Sequence, residues 1–123
     1  MAQRILFVDD EAPIRELLSL FFRKKSFEVS TATSTGEARN LMDGNPFDLA
    51  ILDVNLAEEN GLQLLGLFKT RYPKVPVVLF TGMPDEDVLV QSTLQAGADG
   101  FMRKTESLEM LHQVVRKHLA SAG

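Results

Sequence analysis

Four polar clusters in this 123-residue chain could act together on one small charged substrate: Asp9-Asp10-Glu11, Asp53, Thr81-Gly82 and Lys104. Asp9, Asp10 and Asp53, brought within a few ångströms of one another, would repel strongly. A partly buried set of carboxylates stays ionised only beside a cation. A hard divalent ion that takes oxygen ligands and keeps several waters meets that need, and Mg²⁺ fits best. Lys104 would add a fixed positive charge, Thr81 a hydroxyl donor, and Gly82 an unobstructed backbone N–H with room beside it. An ionised Asp53 in such surroundings is arranged to receive a phosphoryl group by in-line attack, with the arriving oxygen charge neutralised as it develops.

Taken singly, each residue has an ordinary structural explanation. Asp10 could N-cap a first helix with Glu11 favouring its dipole, Asp53 could belong to a turn, Thr81 to a strand and Lys104 to solvated surface. Phe101 on its own reads as core. Their common placement is what sets them apart, because each cluster follows a short apolar run.

Those runs are strands near Arg4–Val8, Phe27–Ala32, Leu49–Leu52, Val77–Phe80 and Gly100–Met102. Helical patterns alternate with them, from Glu11 to Lys25, after Ser34 to Gly44, from Gly61 to Arg71, from Pro84 to Gly97 and from Glu106 to Leu119. In the first helix Ile14, Leu17, Leu18, Phe21 and Phe22 form an amphipathic stripe. Ser34 and Glu37 have capping-box spacing at the second. The last directs Leu108, Leu111, Val115 and Leu119 inward. The third and fourth strands are apolar throughout, as strands covered on both faces are. Five alternations predict an α/β fold with a parallel sheet, right-handed crossovers and helices on both faces. Ligands in such folds bind beyond the carboxyl ends of the strands, where strand order reverses. That rim carries Asp9, Asp10, Asp53, Thr81 and Lys104.

Composition bounds the rest. With 45% hydrophobic and 24% charged residues, the chain reads as one globular domain over 1–123, with a core near 4–119 and 120–123 as a tail or the start of a linker. The absence of cysteine excludes disulfides and thiolate metal sites. No apolar run approaches the roughly 20 residues of a spanning helix, and no signal-peptide layout precedes the first strand, so a cytoplasmic protein without membrane contact is expected. A net charge of −4 argues against direct nucleic-acid binding. His112 and His118, six residues apart, do not stack on one helical face as a ligand pair would, and both are expected on solvated surface.

The segments ILFVDDE, DLAILDVNLAEENGL, VVLFTGMPDED and AGADGFMRK resemble, in order and spacing, the receiver domains of bacterial two-component response regulators. The resemblance covers essentially the whole chain. It implies a three-layer flavodoxin-like (βα)5 fold with a five-stranded parallel sheet in the order 2-1-3-4-5. It also implies that Asp53 is the phospho-acceptor and a metal ligand, Asp10 a direct Mg²⁺ ligand, and Asp9 a ligand directly or through water. Asn55 would lend its backbone carbonyl, and Mn²⁺ could substitute for Mg²⁺. Thr81 would be the switch hydroxyl, Lys104 the phosphoryl-pairing lysine, Gly82 a backbone donor, and Phe101 the switch aromatic that alters the surface of helix 4, strand 5 and helix 5. The implied donor is a phosphohistidine on a sensor histidine kinase or phosphotransfer protein, docking on helix 1 through Ile14, Arg15 and Leu18. Output would pass to a separate effector or a covalently linked domain, with phosphorylation-dependent homodimerisation as one route. Such a domain is regulatory, catalysing only its own phosphorylation and dephosphorylation.

Two positions depart from the family pattern. Thr105 stands where proline directly follows the lysine, and it is a candidate N-cap for the last helix. Ala57, followed by Glu58 and Glu59, stands where proline is frequent. Two other classes compete. A Mg²⁺-dependent phosphohydrolase would carry Asp-x-Asp after the first strand, where this chain has adjacent aspartates. A receiver-like module that is never phosphorylated would tend to lose part of the set that Asp9, Asp10, Asp53, Thr81 and Lys104 retain.

Overall fold

The computed structural model describes residues 3–44, 47–53, 55–56, 59–81, 97–103 and 107–122. Five strands, β1 (Arg4–Val8), β2 (Glu28–Ala32), β3 (Leu49–Asp53), β4 (Val77–Thr81) and β5 (Gly100–Arg103), form one sheet in the order β2-β1-β3-β4-β5. Every neighbouring pair is parallel. The order reverses between β1 and β3, the position at which the sequence pattern places a site. A short antiparallel ribbon, Asn55–Leu56 against Glu59–Asn60, follows β3 and was not legible as strand. The helices are α1 (Ala12–Lys24), α2 (Thr35–Gly44), α3 (Gly61–Arg71) and a C-terminal helix (Leu108–Ala122). The helix expected over 84–97 lies outside the described residues, except Gly97. Among the described residues no helix is long and apolar enough to cross a membrane.

Alternation along the strands sends side chains to two separate cores. On one face Ile5, Phe7, Leu49, Ile51, Val78 and Phe80 pack with Leu18 and Phe22 of α1 and with Leu111, Val115 and Leu119 of the C-terminal helix. On the other, Leu6, Val8, Ala50, Leu52, Val77 and Leu79 meet Ala38 and Met42 of α2 and Leu65 and Phe68 of α3. The α1 stripe is narrower than the sequence suggests. Leu17 is 52% exposed, because the row spaced by four residues, Ile14, Leu18 and Phe22, is the one that faces the sheet.

Local chemistry fixes the helix ends. At the end of α1 the Phe27 amide donates to the Phe22 carbonyl and the Ser26 amide to the Arg23 carbonyl, both at 3.0 Å. With the Phe22 and Phe27 rings 5.7 Å apart, this is a Schellman motif whose left-handed position holds Ser26 at φ 72° rather than glycine. At α2 the Glu37 amide donates to Ser34 Oγ at 3.2 Å, as the capping box requires. The Glu37 carboxylate accepts from the amide and hydroxyl of Thr33 instead of from Ser34, and these bonds hold its carboxyl below the ordinary range.

The C-terminal helix departs from expectation at its far end. Its first turn is capped by Ser107, whose Oγ accepts from the Met110 amide at 3.1 Å, and Thr105, the cap candidate in the sequence, lies outside the described residues. Its far end continues to Ala122, through residues expected to be a tail, because Ala120, Ser121 and Ala122 include no glycine or proline to stop it.

Below the sheet, Asp99 Oδ2 accepts from Lys69 Nζ at 2.9 Å and from the Val77 amide at 2.8 Å. These bonds tie α3 to the approach of β5 and the start of β4. Gly97 nearby has φ +105°, a conformation that a side chain would strain.

Candidate metal centre

Sheet register brings the carboxylates together. Val8 pairs with Leu52 and Asp53 with Phe80, so Asp9 and Asp53 stand at the ends of adjacent strands. Both are buried, Asp9 at 0% and Asp53 at 1% exposure, while Asp10 is half-buried and Glu11 exposed. One carboxylate oxygen from each of Asp9, Asp10, Glu11 and Asp53 lies within 4.8 Å of the other three. Asp9 is fixed at three points. Its amide donates to Ala32 O of β2 at 3.0 Å, its Oδ1 accepts from the Glu11 amide at 2.9 Å, and its carbonyl accepts from Arg15 Nη1 at 2.8 Å.

Four carboxylates this close form a site of concentrated negative charge with oxygen donors alone. That donor set suits a hard divalent ion and not a soft one, so these residues could hold Mg²⁺ or Mn²⁺. Glu11, read from the sequence as part of this polar run and a partner for the helix dipole but not as a metal ligand, contributes an oxygen to the cluster. The run Asp9-Asp10-Glu11 was the available signal. Glu11 is also the residue at the N-cap position of α1, without a side-chain capping bond, so Asp10 is not the cap.

The other site candidates are placed less fully. Thr81 ends β4 with its backbone paired to Arg103, and Lys104 follows Arg103 outside the described residues, as does Gly82 after Thr81. Asn55 lies in the ribbon directly beyond β3 by its backbone, and Phe101 pairs with Leu79 in β5. The hydroxyl of Thr81 and the rings and amides of those two side chains are outside what is described. Ala57, Glu58 and Thr105 are too.

Two expectations about the helices change. Of the docking candidates on α1, Leu18 is 1% exposed and belongs to the core, and Arg15 is engaged with Asp9. The large apolar side chains that α1 does offer to solvent are Leu17 and Leu20. Neither histidine is simply solvated. His112 stands edge-on to Phe21, Phe22 and Phe27 at centroid distances of 6.0, 6.1 and 6.0 Å. Burial pushes its pKa down, and the positive charges of Lys25 and Arg116 push it further. His118 packs over Gly100 so closely that a Cβ there would meet its Nε2 at 2.6 Å. Both contacts join distant parts of the chain, which spacing along one helix does not register.

Comparison with known proteins bears on the same residues. The family model described as the response regulator receiver domain matches residues 5–116. The response regulator protein PilR of Pseudomonas aeruginosa is 36% identical over 113 residues, covering 92% of this chain and 25% of PilR. The chain thus spans about a quarter of the length of the first curated relatives it matches. A receiver domain protein (CheY-like) from Methanospirillum hungatei superposes with a TM-score of 0.91 at 27% identity, over 99% of this chain and 97% of that one. The response regulator TrrA of Thermotoga maritima, crystallised in complex with Mg²⁺-BeF, superposes with a TM-score of 0.84 at 29% identity, over 94% and 98%. With its flavodoxin-like α/β fold, its parallel sheet and an acidic cluster at the point where strand order reverses, the chain belongs to the response regulator receiver domain family of two-component systems.

Proposed function

We propose that the chain is a single receiver domain that accepts a phosphoryl group on Asp53 in a Mg²⁺-dependent reaction. The observation that carries the reading is the gathering of Asp9, Asp10, Glu11 and Asp53 within 4.8 Å, with Asp53 buried at the end of a central strand. Asp10 and Asp53 would hold the cation directly, Asp9 directly or through water, and Asn55 through its backbone carbonyl. Bound there, the cation supplies neutralisation of charge on the phosphoryl oxygens. Asp53 attacks phosphorus in line, the P–O bond forming as the P–N bond to a donor histidine breaks, and the imidazole leaves with the electron pair. Lys104 pairs with the new phosphoryl oxygens, Gly82 donates its amide to them, and Thr81 turns its hydroxyl toward them. Phe101 follows Thr81 inward, which changes the surface next to β5 and the C-terminal helix.

TrrA, a relative of similar fold, has been crystallised with Mg²⁺-BeF, and a tetrahedral fluoroberyllate has the shape of a phosphoryl group. The donor would be a sensor histidine kinase or phosphotransfer protein, meeting α1 on its exposed side. The output would be a separate effector, a phosphorylation-dependent second copy, or a linked domain of a longer protein, as the length of the relatives suggests. The role is regulatory, in the cytoplasm, without turnover of an external substrate.

Incubation with acetyl phosphate should add one phosphoryl group, read by intact mass, when Mg²⁺ is present and none when it is chelated. Asp53→Asn should take none. Labelling of that variant at the rate of the natural chain contradicts the assignment.

A further inference from the structure

Among the described residues, the side chain of Arg15 reaches the acidic segment after β1, a contact that a docking role leaves unexplained. Arg15 Nη1 donates to the Asp9 carbonyl at 2.8 Å, six residues back along the chain. This bond is made by a side chain from α1, whereas two others at Asp9 come from the amide of Glu11 and go to the carbonyl of Ala32 in β2. The same guanidinium acts electrostatically on Glu37, whose carboxylate is itself held by the Thr33 amide at 3.0 Å and by the Thr33 hydroxyl. Arg15 therefore stands between the loop after β1, which carries Asp9, Asp10 and Glu11, and the loop after β2, which leads into α2.

We propose that Arg15 is a positioning residue for the cation site: by holding the Asp9 carbonyl it fixes the peptide joining Asp9 to Asp10, and with it the direction in which Asp10 presents its carboxylate. The inference rests on the metal-binding reading given above. Two effects of Arg15 oppose each other. Its charge repels an arriving cation, while its hydrogen bond prearranges the carboxylates. The hydrogen bond is charge-assisted and part-buried, while the repulsion acts over a longer distance and is screened by salt, so prearrangement dominates. Groups that orient metal ligands from behind typically change affinity tenfold or more when removed.

Mg²⁺ titration of the full chain by isothermal calorimetry tests this, with Arg15→Met and Arg15→Lys beside the natural chain. Arg15→Met should bind Mg²⁺ roughly tenfold more weakly. Arg15→Lys, which keeps the charge and one donor, should recover part of that loss. Thermal unfolding without Mg²⁺ should stay close to that of the natural chain for both, separating a positioning role from general loss of structure. A folded Arg15→Met that binds Mg²⁺ as tightly as the natural chain, or more tightly, overturns the inference and leaves the metal site standing. If Arg15→Met does not fold, an Arg15→Lys with unchanged affinity overturns it equally. A natural chain that takes up no Mg²⁺ removes the metal reading itself, and this inference with it.

Discussion

At the carboxyl ends of β1 and β3, four carboxylates gather within 4.8 Å, two of them buried. Where α1 meets the C-terminal helix, by contrast, Phe21, Phe22 and Phe27 pack edge-to-face around His112, and Lys25 pairs with Glu109 at 3.5 Å. The rim concentrates like charge that a bound cation would relieve. The seam is filled by groups that satisfy one another. A rim of the first kind is held in place by the rest of the fold and is itself a source of strain, so the two regions should respond in opposite directions when a side chain is removed.

The largest effect belongs to the seam. Phe22 is 1% exposed and touches the sheet core as well as the aromatic cluster, so Phe22→Ala should destabilise the chain by about 3–5 kcal/mol in urea unfolding. A loss under ~1 kcal/mol would mean that α1 is not packed as described. The rim should do the reverse. Without Mg²⁺, Asp53→Asn removes one of several repelling charges and should stabilise by about 1 kcal/mol. Adding Mg²⁺ should close that gap, because the ligand stabilises the natural chain more. Equal or lower stability of the variant in metal-free buffer would show that the carboxylates are not in mutual repulsion.

A smaller gain is expected at the end of α1. Ser26 holds φ 72° in the Schellman motif, so Ser26→Gly should stabilise by about 0.5–1 kcal/mol in the same assay.

The smallest effect is one of pH. His112 has a folded-state pKa below its ordinary 6.5, so the unfolded chain binds more protons between the two values. Its contribution is fully present above 6.5 and is lost as pH falls through 6.5 toward the lower folded value. Stability compared at about pH 7.5 and about pH 5.5 should therefore fall further for the natural chain than for His112→Leu. An equal fall in both would remove His112 from the account.

Much of this was legible because it is written locally. The apolar runs, the Ser34 cap and the carboxylates following β1 and β3 depend on short-range pattern, and parallel sheets put strand ends on one rim. Ser107 and Thr105 are both cap-forming residues two positions apart, and propensity alone could not choose between them. Leu17 and Leu18 differ by one helical step, so pattern placed both inward, while the sheet admits only Leu18. His112 was misread because its partners come from α1 and the loop before β2, which helical spacing does not encode. Arg15 was read as a docking contact for the same reason, since its partner is a backbone carbonyl at the end of another element.

The central claim is that Asp53 receives the phosphoryl group. Treating the phosphorylated chain with borohydride, which reduces an acyl phosphate and marks the carboxylate that carried it, followed by peptide mapping, tests this most directly. The mark should fall on position 53 alone, and only in samples phosphorylated with Mg²⁺. A mark on Asp10 or elsewhere, or none despite a stable phosphorylated mass, would contradict it.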